Sequence, residues 1–123
     1  MLRRSSGTVK VFSLDRAAIR SALEDLIERR YRPDPNVVAV VLFGSFARGD
    51  AAPGSDVDLL VVLREDRRPP RDRIPDYLPQ GVPVGVDVIP WTEAELEERL
   101  VAGDRFARTI LAEGEALLDR RIL

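Results

Sequence analysis

The chain has 123 residues, of which 45% are hydrophobic and 33% charged, and its formal net charge is −2. This length predicts one domain whose core folds without disulfides or a structural metal, and the charge balance gives no sign of general nucleic-acid binding. The chain has no cysteine and no histidine, which excludes thiolate sites, imidazole metal ligands and Ser-His-Asp triads, so any metal must rest on oxygen ligands.

The first residues of the chain are polar, and we expect residues 1–8 to be flexible. We expect residues 9–123 to form the single domain, with a short strand or extended lead-in at 9–12. No apolar run approaches the ~20 residues of a membrane span. The opening "MLRRSSGTVK" also lacks the apolar segment of a secretory signal, so we expect a cytoplasmic protein.

The next segments alternate between helical and strand patterns. Apolar residues recur at helical spacing from Asp15 to Arg32, and prolines follow directly. Three apolar, β-branched runs predict buried strands at 37–43, 56–63 and 82–90. The proline- and arginine-rich segment 64–81 is expected to be a surface connection with a short helix near 74–78.

The C-terminal third predicts two helices. Thr92 and Glu95 form a capping-box pattern that opens a helix running to about Val101. A last helix is expected from Asp104, with an apolar stripe that continues through Leu118. Helices alternating with buried strands predict an α+β fold, in which a mixed β-sheet is flanked by helices.

Three aspartates stand out against these apolar runs. Asp56 and Asp58 are two residues apart at the start of the second strand, so they project from the same face. Carboxylates that close repel each other, and a divalent cation relieves the repulsion. Asp87 lies inside the third strand, where an unpaired charge would cost several kcal/mol. If these strands are neighbours, the three carboxylates predict a Mg²⁺ site, most naturally for two ions.

A Gly-Ser pair follows the first strand. Gly44 permits a tight turn and close approach of a ligand, and the N–H groups of a helix starting at Ser45 would suit phosphate. Arg48 could add a guanidinium. Each feature alone has a simpler explanation as a turn, a strand cap or a surface arginine. Together with the aspartates they predict a phosphoryl- or nucleotidyl-transfer site.

The stretch "GSFARGDAAPGSDVDLLVV" resembles the signature of the nucleotidyltransferase superfamily that includes DNA polymerase beta. That signature is Gly-Ser, ten residues, then Asp-x-Asp, and Asp87 matches the third carboxylate of the superfamily. Its fuller form matches at Gly44, Ser45, Ala47, Arg48, Gly49, Ser55, Asp56, Asp58 and Leu59. At this length the chain resembles the stand-alone minimal nucleotidyltransferases (MNT), with no room for the helical substrate domain of larger relatives.

The resemblance implies a polymerase beta-like fold and a function. MNT proteins are the antitoxins of HEPN/MNT toxin–antitoxin pairs, and they move AMP from ATP onto a tyrosine of the helical HEPN toxin. The resemblance therefore implies ATP as substrate, two Mg²⁺ ions as cofactors and a HEPN-type toxin as partner.

The resemblance also implies roles for individual residues. Metal binding and catalysis fall to three carboxylates: Asp56, Asp58 and Asp87. Asp87 would in addition help to deprotonate the acceptor hydroxyl. Contacts to the nucleotide fall to Gly44, Ser45, Arg48 and Ser55, with Gly44 and Ser45 holding the β- and γ-phosphates.

Two other functions remain open from the sequence. The same catalytic residues could transfer a nucleotide to a small molecule or to an RNA end. Alternatively, the chain could neutralise a partner by binding alone, using the stripe of the last helix or the arginine-rich segment as an interface, although core packing is the simpler use of that stripe.

Overall fold

The computed structural model describes residues 16–52 and 55–121, which form a four-stranded sheet with helices on both faces. The strands are β1 (Val37–Phe43), β2 (Val57–Leu63), β3 (Val86–Thr92) and β4 (Glu115–Asp119). The helices are α1 (16–26, continued by a π-helical turn at Ile27–Tyr31), α2 (Gly44–Arg48), α3 (Pro70–Tyr77), α4 (Glu93–Val101) and α5 (Arg105–Glu113).

The sheet is mixed, and its strand order is β3-β2-β1-β4. β1 runs antiparallel to both β2 and β4, whereas β2 and β3 are parallel. This confirms the predicted α+β fold with a mixed sheet flanked by helices.

The central strand β1 is buried along its whole length because both faces of the sheet are covered. Its alternate residues divide between two hydrophobic clusters. One cluster, which includes Val40 and Leu42, packs under α1 and α3. The other, which includes Val41 and Phe43, packs under α4 and α5. A continuous apolar run is what a strand buried on both faces requires.

The connection between β2 and β3 is anchored by a buried arginine. Arg73 in α3 is 1% exposed, and its guanidinium donates to both carboxylate oxygens of Glu95 at 2.7 and 2.9 Å. It also donates to the backbone carbonyls of Asp66, Arg68 and Pro90. This network ties α3 to the end of β3 and to the start of α4, and so fixes β3 beside β2.

Several predicted elements are confirmed with shifted bounds. The first helix and the strands at 37–43 and 56–63 are present, and the Thr92–Glu95 capping box is formed. The third strand begins later than predicted, at Val86, and the helix of the connection begins earlier, at Pro70. β3 is an edge strand rather than a fully buried one, and Asp87 in it is exposed, so the expected burial of this carboxylate was wrong.

The prediction for the last helix was wrong beyond Glu113. The helix ends there, and residues 115–119 form β4 instead. A side chain at Gly114 would collide with the carbonyl of Ile110 and come 2.5 Å from Val41 Cγ1, so only glycine lets the chain turn this tightly against β1. The spacing of Leu118 matches the helical pattern by coincidence. A strand of five residues is too short for its alternation to be recognised in the sequence.

The predicted strand at 9–12 and the expected flexible segment 1–8 lie outside the described residues. Within residues 16–52 and 55–121, no helix combines the length and the apolar character needed to span a membrane.

Candidate active site

Asp58 and Asp87 lie side by side on neighbouring parallel strands, as register partners of β2 and β3. On its other side Asp58 is paired with Phe43, the last residue of β1. Strand alternation puts Asp58 on the face that carries Leu60 and Val62, which is the face covered by α4 and α5. The predicted approach of these two carboxylates therefore rests on the strand order.

A cavity of about 550 Å³ opens at this end of the sheet. Its floor carries the two aspartates, and its walls include the start of α2 and one face of α5. The lining residues are Phe43, Gly44, Ser45, Arg48, Asp58, Asp87, Ile89, Phe106, Thr109, Ile110 and Glu113. Its size is within the range of small-molecule sites.

Gly44 makes the junction between β1 and α2 possible. Its φ is +79°, in the region that favours glycine, and a Cβ at this residue would collide with Oδ2 of Asp58. The backbone of Gly44 therefore lies directly against the Asp58 carboxylate. The predicted Gly-Ser turn is present, although the helix begins at Gly44, one residue earlier than expected.

The floor of the cavity has an unfavourable concentration of negative charge. Burial raises the pKa of Asp58 above its usual value, and the charges of Asp87 and Asp56 raise it further. Arg48 acts in the opposite direction on the pKa of Asp58. A bound cation would remove this repulsion between carboxylates.

Arg48 lines the cavity, but its guanidinium is shared between two other carboxylates. It lies 3.2 Å from Asp50 and 3.4 Å from Glu113. The hydrogen bond with Asp50 raises the pKa of Arg48 above its usual value. Its side chain is 45% exposed, so packing does not hold it in this position.

The structure does not bring Asp56 and Ser55 into the cavity. Asp56 precedes β2, and its carboxylate lies against Gly85, where a Cβ would be 2.5 Å from Asp56 Oδ1. The amide N–H of Ser55 donates to the carbonyl of Ala52 at 3.0 Å.

The donor set can be tested for its fit to Mg²⁺. As the described residues are arranged, no group of three or more acidic side chains is gathered closely enough to hold an ion. Asp58 and Asp87 nevertheless offer adjacent oxygen donors, which suit a hard cation. Asp56 is near enough to affect the pKa of Asp58. The chemistry of the Asp58 and Asp87 carboxylates therefore suits Mg²⁺, whereas Asp56 is not gathered with them.

The wall formed by α5 was missed by the sequence analysis. Phe106, Thr109, Ile110 and Glu113 face the cavity, and their spacing places them on one face of a helix. Phe106 and Ile110 belong to the apolar stripe predicted for the last helix, for which core packing was the simpler use. The polar members Thr109 and Glu113 at the same spacing were the available signal that this face is not all core.

The chain is similar to known proteins in sequence and in fold. A sequence profile described as "Nucleotidyltransferase domain" matches residues 19–117. No curated protein matches the chain.

Two solved structures are similar to this chain. One is a proposed nucleotidyltransferase from Sulfolobus solfataricus, with 28% identity, a TM-score of 0.55 and coverage of 68% of this chain and 76% of that chain. The other is a toxin–antitoxin structure with AMP-PNP, with 18% identity, a TM-score of 0.54 and coverage of 80% and 75% respectively; at that identity the likeness concerns the fold. Because the profile covers most of the chain, the protein belongs to the nucleotidyltransferase domain family.

Proposed function

We propose that this nucleotidyltransferase domain moves AMP from ATP onto a protein hydroxyl, namely a tyrosine of a HEPN-type helical toxin, and so acts as an antitoxin. The observation that carries the transferase part is the Asp58–Asp87 pair at the floor of a cavity bordered by Gly44. The toxin partner rests on the MNT resemblance, and the fold likeness to a toxin–antitoxin structure with AMP-PNP supports it.

The proposal assigns the metal to the carboxylates. Asp58 and Asp87 would hold Mg²⁺, and Asp56 would join them after its side chain turns away from Gly85. When bound, Mg²⁺ supplies charge neutralisation at the phosphates and holds the reacting oxygens in position. A two-ion site would require all three carboxylates.

The proposal assigns the phosphates to α2. The backbone of Gly44 and the hydroxyl of Ser45 would hold the β- and γ-phosphates, and Arg48 would leave Asp50 and Glu113 to pair with a phosphate oxygen. Ser55 would support the loop that carries Asp56 rather than touch the nucleotide, since it does not line the cavity.

The proposed reaction is an in-line displacement. The acceptor oxygen forms a bond to the α-phosphorus of ATP while the bond to the leaving pyrophosphate breaks. Asp87 accepts the proton of the acceptor hydroxyl, because it lies on the cavity floor beside Asp58. Catalysis would come mainly from positioning and charge stabilisation, which is typical of phosphoryl transfer.

The test is transfer of label from ATP labelled on the α-phosphate. The purified chain is mixed with Mg²⁺, labelled ATP and lysate of its source, beside the variants Asp58→Asn and Asp25→Asn. Asp25 is a matched control, because it is an exposed aspartate whose partner is Arg29 on the helix surface. We expect label on a protein band with the wild type and with Asp25→Asn, and none with Asp58→Asn.

The other outcomes identify the alternatives. Label only in small molecules or RNA would replace the protein acceptor by one of those classes. If no label is transferred although the partner is present, the chain acts by binding alone, and the transferase proposal fails. Mass spectrometry of the labelled band would show whether the AMP is on a tyrosine.

A further inference from the structure

The α5 wall of the cavity carries an aromatic ring that the proposed chemistry does not use. Phe106 lines the cavity together with Asp58 and Asp87, and it is 48% exposed although it is a large hydrophobic residue. A single exposed apolar residue is common on protein surfaces, but this one lies in the same cavity as the two aspartates.

Two buried rings hold Phe106 in place. The ring centroid of Phe43 is 5.9 Å away at an interplanar angle of 79°, and that of Trp91 is 6.2 Å away at 85°. Phe43 and Trp91 are themselves 8% and 5% exposed. Both contacts are edge-to-face, which is a preferred arrangement of aromatic pairs. Neither ring lies parallel to Phe106, so neither covers it by face-to-face stacking.

The surroundings of Phe106 combine apolar and polar groups. Ile110 follows it by one helical turn, Ile89 lies on the neighbouring strand, and Thr109 presents a hydroxyl from the same helix face. Small-molecule sites are typically lined in this way, with apolar walls and a few placed polar groups. The same cavity is also lined by Gly44, Ser45 and the two aspartates, which form its polar part.

We propose that Phe106 is the stacking platform for the nucleobase of the nucleotide substrate, an inference that rests on the proposed function. The base is covalently joined to the phosphates, so it must lie within the cavity that holds them or at its mouth. Among the described residues that line that cavity, Phe106 is the one with an exposed aromatic ring. An acceptor hydroxyl, by contrast, has to approach the α-phosphate from the open side.

The test compares a ligand that has a base with one that lacks it. Binding of AMP-PNP and of inorganic tripolyphosphate, both with Mg²⁺, is measured by calorimetry for the wild type, Phe106→Ala and Phe106→Trp. Removal of a base-stacking ring should weaken AMP-PNP binding by about 5- to 150-fold, with tripolyphosphate binding unchanged. Phe106→Trp should retain AMP-PNP binding, because it preserves an aromatic face.

Leu111→Ala is the matched control. Leu111 lies on the same helix and is 38% exposed, but it does not line the cavity, so this variant should bind both ligands like the wild type. If Phe106→Ala does not fold, Phe106→Leu replaces it, since leucine keeps an apolar contact and removes the aromatic face. The same selective loss of AMP-PNP binding is expected.

Three results would overturn the proposal. Phe106→Ala could leave AMP-PNP binding unchanged, or it could weaken both ligands equally. In a parallel assay of label transfer, it could raise only the KM of the acceptor, which would make the ring an acceptor contact. A wild-type chain that binds neither ligand would instead contradict the proposed function itself, so the two failures are distinguishable.

Discussion

Gly44 lies so close to Asp58 that any side chain at residue 44 would occupy the position of the Asp58 carboxylate. The signature glycine and the signature aspartate are fourteen residues apart in sequence, yet they form one contact. Since φ of Gly44 is also +79°, the residue is restricted both by its own backbone and by its neighbour. The Gly-Ser turn therefore sets the place of the carboxylate as well as the path of the chain.

We expect Gly44→Ala to lower the rate of nucleotide transfer by about 100-fold or more, because a displacement of roughly 1 Å at a reacting group has that effect. Gly49→Ala is the matched control. Gly49 has φ of +83°, but a Cβ there meets nothing within 4 Å. Both variants should lose about 1–2 kcal/mol of stability from the left-handed backbone.

Urea denaturation measures the stability loss, and calorimetry with Mg²⁺ and AMP-PNP measures binding. Only Gly44→Ala should lose binding. Equal binding by the two alanine variants would show that the contact with Asp58 is unimportant.

The sequence marks Asp58 and Asp87 as candidate site residues, whereas their pairing depends on β2 and β3 being neighbours, which is itself a long-range contact. Each aspartate interrupts an apolar run, and strand alternation indicates on which face of the strand its side chain lies. The five-residue strand β4 could not be predicted, because its pairing with β1 is a long-range contact. For the same reason, the sequence did not predict that α5 forms a wall of the cavity. Phe106 and Ile110 have the spacing of a core stripe, and only the tertiary arrangement shows that Ile110 is buried whereas Phe106 borders a cavity.

The buried guanidinium of Arg73 makes a prediction about stability. Its hydrogen bonds join α3, β3 and α4, and its loss would leave Glu95 and three backbone carbonyls without this donor. We expect Arg73→Ala to lower the free energy of unfolding by about 1–3 kcal/mol, the cost of leaving hydrogen-bonding groups without a partner; the side chain of Glu95 is 36% exposed, so water replaces part of what the guanidinium supplied. Arg71→Ala should change it little, because the Arg71 side chain is 87% exposed and 3.9 Å from Asp72. Equal stabilities by urea denaturation would refute the role of Arg73.

The segment that connects β2 to β3 also contains Asp66 and Arg68, whose interaction predicts a loss of stability in acid. Hydrogen bonds from Arg68 hold the pKa of Asp66 down at about 2, whereas an aspartate in an unfolded chain has a pKa near ~3.9. Because the folded-state pKa is the lower one, the stabilisation is present above pH ~4 and is lost as the pH falls toward 2. We expect Asp66→Asn to be less stable at pH 6 and to lose less stability between pH 4 and 2. Denaturation curves across this range provide the check.

Arg68→Met is the partner control for that experiment. It removes the main cause of the lowered pKa of Asp66 while the carboxylate remains. Its stability should therefore vary with pH over this window in the same reduced way as that of Asp66→Asn. If the stability of Arg68→Met varied with pH as that of the wild type does, groups other than Arg68 would be stabilising the Asp66 carboxylate.

The repulsion at the cavity floor predicts opposite effects on stability and on activity. At pH 7 the partly buried carboxylate of Asp58 faces the charges of Asp87 and Asp56, so its ionised form opposes folding. Asp58→Asn removes one charge and keeps the shape, and we expect it to raise the melting temperature of the metal-free chain while abolishing transfer. This exchange of stability for function is common at active sites.

Magnesium should reverse the order of the melting temperatures of the wild type and Asp58→Asn. Added Mg²⁺ binds the folded wild type and raises its melting temperature, whereas Asp58→Asn and Asp87→Asn should respond little because a ligand is missing. The exposed Asp25→Asn control should respond like the wild type. Thermal unfolding with EDTA and with Mg²⁺ distinguishes these cases. If Mg²⁺ stabilised all four proteins equally, the ion would bind elsewhere, and the assignment of the metal to the Asp58–Asp87 pair would be wrong.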